Sequence, residues 1–156
     1  MEVKFVNPFI EGVLRVLNTT ASLKSSPDSP YVKSEGNIQG AIAGVLEISG
    51  ELNGTAVIGF SEKSILGIVS TMFGETMVEI NDEIVDAVGE ISNMVAGNVT
   101  TKLVELGKQV KIKFSHVLSA NESGFVSTQD SGGEPVLVFP FRTTQGKVLL
   151  EINLHE

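Results

Sequence analysis

Cysteine and tryptophan are absent from these 156 residues, and histidine occurs only twice, at His116 and His155. Without cysteine there is no disulfide, no thiolate zinc site, no iron–sulfur cluster and no Cys nucleophile. Two distant histidines offer little to a His-based metal centre, so no metal site is expected. Basic residues are also scarce: 11 Lys and Arg stand against 19 Asp and Glu, a formal net charge of −8. An isoelectric point near 4.8, with no cluster of Lys or Arg, argues against nucleic acid or an anionic membrane as partner. No apolar run approaches the ~18 residues that a membrane-spanning helix needs. The start, Met1-Glu2-Val3-Lys4, has no basic stretch followed by an apolar one, so no signal peptide is expected and the cytoplasm is the expected compartment. The length suits one domain over residues 1–156, large enough to bury a core without covalent staples.

What is present reads as alternating helices and hairpins. Asn7 can cap a first helix with Pro8 in its first turn, followed by Phe9, Ile10, Val13, Leu14 and Leu17 at helical spacing. Thr19 to Ser34 is polar and turn-rich around Pro27 and Pro30, giving one short strand or two broken ones. Ile38 to Ile48 and Thr55 to Phe60 read as strands joined through a turn cluster. Ser61 is a candidate N-cap for a helix closed by Gly74, and Asn81 for a long helix from Asp82 to about Leu106 that stops at Gly107. Val110 to Ser119 alternates as a strand, with Val110, Ile112, Phe114, His116 and Leu118 on one face. A polar loop over Asn121 to Gly133, with a short strand at Phe125 to Thr128, leads to a last hairpin, Pro135 to Thr143 and Lys147 to Leu154. Pro140 marks an edge strand or a bulge. Tight turns imply an antiparallel β-sheet, and two to three helices packed on one face make an α+β fold.

The long helix carries the chemistry. Ile84, Val88, Ile91, Val95, Val99 and Leu106 form its core stripe. Asp86, Glu90, Asn93 and Gly97 fall at i, i+4, i+7 and i+11, one line along the opposite side, with Gly89, Ala96, Thr100 and Thr101 around it. A Glu and an Asn on an exposed helix face are ordinarily only solvated. The glycines are less ordinary: each costs a helix interior about 1 kcal/mol relative to Ala, which suggests a backbone that another surface must approach closely.

The run Asp86-Ala87-Val88-Gly89-Glu90-Ile91-Ser92-Asn93-Met94-Val95-Ala96-Gly97-Asn98 resembles the signature of the CheC/CheX/FliY phosphatases of bacterial chemotaxis: Asp or Ser, three residues, Glu, two residues, Asn. The opening Asn7-Pro8-Phe9-Ile10, the Gly-rich hairpin, the Ser61 to Gly74 helix and the strand-rich C-terminus resemble the single-site CheX branch. In the first helix Asn7, Glu11 and Leu14 repeat the spacing, but Leu14 stands where the Asn would be, so no second site of this type is expected. The extended family pattern has a Pro 23 residues after the Asn, where this chain has His116.

The resemblance implies a CheC-like fold and hydrolysis of the aspartyl phosphate of the response regulator CheY. It implies no cofactor in this chain, because the regulator supplies the phosphoryl group, a Mg2+ ion and a Lys. Asn93 would orient the attacking water, since a carboxamide can donate to and accept from water without becoming a nucleophile. Glu90 would pair with the regulator's Lys, and Asp86, Gly89, Ala96 and Gly97 would form the partner-binding surface around them. A homodimer is implied too, and the apolar run Val136 to Phe141 is a strand that needs covering. The alternative is a non-catalytic module docking a regulator or a flagellar switch component through the same face.

Other candidates are bland. His116 beside Ser115 and Ser119 follows no triad order and reads as structural. Asp28, Asp130 and Glu134 lack calcium-loop spacing. Gly36, Gly40 and Gly44 lack the Gly-Lys-Ser/Thr of a phosphate loop.

Overall fold

The computed structural model describes residues 3–33, 37–119, 125–127 and 135–156. Helix α1 (Val3–Ala21) is followed by the short strands β1 (Ser25–Pro27), β2 (Tyr31–Val32) and β3 (Asn37–Gln39), then by the hairpin β4 (Ile42–Gly50) and β5 (Asn53–Phe60). Helices α2 (Glu62–Phe73) and α3 (Asp82–Glu105) precede β6 (Val110–Ser119), β7 (Phe125–Ser127), β8 (Leu137–Thr143) and β9 (Gly146–His155). Seven strands form an open antiparallel sheet in the order β1-β8-β9-β5-β4-β6, with β2 also pairing β8, while β3 and β7 form a separate two-stranded sheet. All three helices lie on one face of the large sheet. Phe9, Val13 and Leu17 of α1, Ile65 and Ile68 of α2 and Ile84, Val88, Ile91 and Val95 of α3 share one core with Ile42, Leu46, Ile58, Phe60, Phe141, Leu150 and Ile152. The expected α+β architecture is the one observed.

Local chemistry explains where α2 and α3 start. Ser61 Oγ accepts from the Ser64 N–H, and Asn81 Oδ1 accepts from the Ile84 N–H at 3.1 Å, each satisfying a backbone donor that the first turn leaves free. Gly74 and Gly107 end the helices with φ of +70° and +86°, which a side chain would resist.

Four expectations need correction. Helix α1 begins at Val3, so Pro8 is buried inside it and Asn7 does not cap it. At Pro8 the helix forgoes the bond to the Lys4 carbonyl, and burial of Phe5 and Val6 in the core carries it through. The strand read over Ile38 to Ile48 is broken at Gly40 and Ala41 into β3 and β4, which belong to different sheets. The face assigned to β6 changes midway: Val45 pairs with His116 but Leu46 with Phe114, so Ser115 is an extra residue. That bulge inverts the alternation. Val110, Ile112, Phe114 and Val117 pack on the main core. Leu118 joins Ala43, Val45 and Val57 on the sheet's other face, where His116 stands opposite Val45 with Nδ1 2.8 Å from Ser115 Oγ. Finally, the apolar strand at Val136 to Phe141 is not a free edge, because β1 and β2 pair with β8. The outer strand is interrupted between Pro27 and Tyr31, opposite Pro140, which has no N–H to offer. Most of the polar loop at 121–133 lies outside the described residues.

Candidate functional site

Helix α3 is clamped at two places by glycines on its neighbours. A Cβ on Gly44 of β4 would overlap Ser92 Oγ and lie 3.2 Å from Ser92 Cβ. A Cβ on Gly12 of α1 would lie 3.1 Å from Val99 Cγ2. Ser92 is fully buried and donates its hydroxyl proton to the Val88 carbonyl at 2.7 Å, so the small polar side chain is satisfied within the helix. Packing this close fixes which side of α3 faces out. Gly44, Gly12 and Ser92 are packing positions that the helical and strand periodicities do not single out. A Ser in the middle of an apolar stripe and a Gly inside a strand were the available signals.

Of the expected site residues, Asp86, Glu90, Asn93 and Gly97 lie together on the exposed side of α3. Gly89 and Ala96 turn inward and do not belong to that surface. Ala96 is buried in the main core, and Gly89 is buried with its Cα facing the Phe114 ring, where a Cβ would meet Cε2 and Cζ at 3.4 Å. Their smallness serves the approach of α3 to its own fold. Gly97 is different, since nothing lies within 4 Å of where its Cβ would be.

The polar groups on α3 divide into two kinds. Asn98 donates to the Met94 carbonyl at 2.9 Å, Thr100 to the Ala96 carbonyl at 2.7 Å and Thr101 to the Gly97 carbonyl at 3.1 Å, all bonds back onto the helix. Asp86, Glu90 and Asn93 make no side-chain hydrogen bond or ion pair among the described residues. Glu90 and Asn93, three residues apart, are neighbours on the helix surface, so a carboxylate and a carboxamide stand side by side with their bonding capacity open. Asp82 and Glu83 in the first turn, with Asp86 one turn on, make this end of the face acidic and complement the helix dipole. Beyond Gly97 the face opens into a groove of about 370 Å³ between α1 and α3. Among the described residues no group of three or more His, Cys, Asp or Glu could hold a metal ion, and no helix is long and apolar enough to cross a membrane.

Three helices packed on one face of an open antiparallel sheet are the architecture of the CheC-like class. A CheC-like superfamily protein from Shewanella sp. PV-4 superposes with a TM-score of 0.89 at 30% identity, over 100% of both chains. The family model for the chemotaxis phosphatase CheX matches residues 42–142, which include all of α3. The CheY-P phosphatase CheX of Thermotoga maritima is 30% identical over 123 residues, covering 78% of this chain and 79% of that one. The chain belongs to the CheX family of chemotaxis phosphatases. A CheX–CheY–BeF3–Mg2+ complex from Borrelia burgdorferi shares the fold, with a TM-score of 0.74 at 21% identity over 99% of this chain and 100% of that one.

Proposed function

We propose that this protein hydrolyses the aspartyl phosphate of a CheY-like response regulator, with Asn93 orienting the water and Glu90 pairing with the regulator's active-site Lys. The observation that carries the reading is the Glu90–Asn93 pair, exposed and without side-chain partners among the described residues on a helix closely packed from behind. Membership of the CheX family and the activity named for the Thermotoga relative support it.

The division of labour follows from what each side chain can do. The carboxamide of Asn93 accepts from one side and donates from the other, so it can hold a water in line with the scissile bond while adding no charge beside the phosphoryl group. Positioning of this kind supplies much of the rate in phosphoryl transfer. The carboxylate of Glu90 gains strength as an ion-pair partner once docking excludes water. Asp86 extends the same line toward the helix N-terminus. The Mg2+ ion belongs to the regulator in this reading, and the protein brings no cofactor of its own. The reaction is cytoplasmic, where phosphorylated regulators act.

A homodimer is part of the reading. Among the described residues strand β6 ends the large sheet with β4 as its one neighbour there, leaving an edge that a second copy could pair. Light scattering at micromolar concentration tests it.

The activity is tested by phosphate release from phosphorylated CheY with catalytic amounts of protein. Acceleration by the native chain and its loss in Asn93→Ala support the phosphatase. Binding that saturates at one equivalent without turnover would establish the docking module instead.

A further inference from the structure

The groove beside Gly97 has a basic group at one end that makes no ion pair or hydrogen bond among the described residues. Helices α1 and α3 pack antiparallel: Gly12 lies against Val95 and Val99, while Phe5, nearly two turns earlier on α1, lies under Lys108 beyond the end of α3, with Nζ 5.1 Å from the ring centroid. Advancing one turn along α1 from Gly12 therefore moves one turn back along α3, from the level of Gly97 to that of Asn93. Arg15 stands at this position. It is exposed, lines the groove with Gly97 and Asn98, and its guanidinium has no ion-pair or hydrogen-bond partner among the described residues. At the far end of the groove Lys102 lies 3.6 Å from Glu105. Glu11, one turn before Arg15, also lines the groove and makes no pair with it among the described residues.

Resting on the phosphatase reading above, we infer that Arg15 is a positioning residue that receives a carboxylate on the rim of the regulator's phosphorylation site. Gly97, with open space where a Cβ would be, leaves the passage between the acid–amide pair and the groove unobstructed. The docking face is then bipolar: Glu90 on α3 takes the regulator's Lys and Arg15 on α1 takes an acid. Opposite charges at two fixed points set the register of docking and disfavour reversed orientations. A planar guanidinium suits a carboxylate better than an ammonium would, through paired N–H donors.

The test is steady-state dephosphorylation of the cognate CheY, phosphorylated with acetyl phosphate, by the native chain and by Arg15→Glu, Arg15→Lys and Asn93→Ala. Charge reversal at Arg15 is expected to raise KM about tenfold at low salt with kcat within about twofold of native, the signature of a rim charge. Arg15→Lys should recover most of the loss, and the salt dependence of KM should flatten in Arg15→Glu. Because Arg15 is exposed, an unchanged melting temperature is expected to accompany the effect. An unchanged KM overturns the inference. So does a fall in kcat at constant KM, which would put Arg15 on the phosphoryl group and not on a rim carboxylate. If the native chain shows no turnover, the phosphatase reading fails, whereas native activity that dies in Asn93→Ala and ignores Arg15→Glu removes only the role of Arg15.

Discussion

Gly44 and Ser92 meet where α3 packs on the sheet: a Cβ at residue 44 would occupy the space of the Ser92 hydroxyl. The hydroxyl cannot simply swing away, because it donates to the Val88 carbonyl inside a fully buried site. Gly44→Ala should therefore lift α3 or break that bond, destabilising the fold by about 1–3 kcal/mol as overpacking does. Ser92→Ala removes the obstructing oxygen, leaving a Cβ–Cβ separation of 3.2 Å that a small shift can relieve. Thermal or urea unfolding should show the double variant more stable than the sum of the single effects, a coupling expected of residues in contact. Additive losses would show that the two positions do not meet.

Because Asn93 and Glu90 are exposed and make no side-chain hydrogen bond or ion pair among the described residues, their substitution separates activity from stability. Asn93→Ala should leave the unfolding midpoint unchanged while reducing turnover of phospho-CheY about 100-fold or more, the scale of losing a positioned reactant. Glu90→Lys should place like charges together in the complex and raise KM with a smaller effect on turnover. Phosphate-release kinetics and calorimetric melting of the same preparations check both. Full activity in Asn93→Ala would refute the water-orienting role.

Gly97 gives a third test, in which stability and function move in opposite directions. No atom lies within 4 Å of its absent Cβ, and its φ is ordinary, so Gly97→Ala should stabilise α3 by up to about 1 kcal/mol through helix propensity alone. Gly97→Leu should also fold, yet weaken association with CheY by filling the passage beside Asn93. Melting curves and titration calorimetry distinguish this from the alternative, in which the glycine is incidental and both variants bind normally.

The sequence carried the parts of this structure that are set locally. Ser61, Asn81, Gly74 and Gly107 mark helix ends because a cap is a bond or a backbone angle within a few residues. The line Asp86–Glu90–Asn93–Gly97 was legible for a similar reason, since helical period alone places it. What stayed hidden depends on partners distant in sequence. Whether Gly89 and Ala96 face solvent is decided at the margin of the stripe, where Phe114 of β6 and the main core cover them. The bulge at Ser115 has no sequence mark, and it alone moves His116 to the other side of the sheet. The start of α1 was misplaced because Pro8 is a good first-turn residue anywhere, and the burial of Phe5 and Val6 that extends the helix is tertiary.

A final prediction concerns the buried pair that ties the segment after β2 to β9. Lys33 Nζ lies 2.9 Å from Glu151 Oε1, with side chains 10% and 3% exposed, and Glu151 Oε2 has no hydrogen-bond partner among the described residues. Burial pushes the Glu151 carboxyl above its ordinary value of 4.5, and the hydrogen bond and charge of Lys33 oppose that shift without cancelling it. Glu151→Gln removes the buried negative charge while its amide oxygen can still accept from Lys33, so its cost at neutral pH should be small. Replacing both residues by apolar ones, as in Lys33→Met with Glu151→Leu, should be close to neutral or stabilising. The pH dependence has a definite sign. With its folded pKa raised, Glu151 binds a proton in the folded chain before it does in the unfolded one. Its contribution to stability is therefore largest below pH 4.5 and declines as pH rises through the folded value. The stability gap between native protein and Glu151→Gln should accordingly be wider at pH 4 than at pH 7, measured by urea unfolding at each pH. A gap that widens toward neutral pH would mean that the ion pair with Lys33 outweighs desolvation.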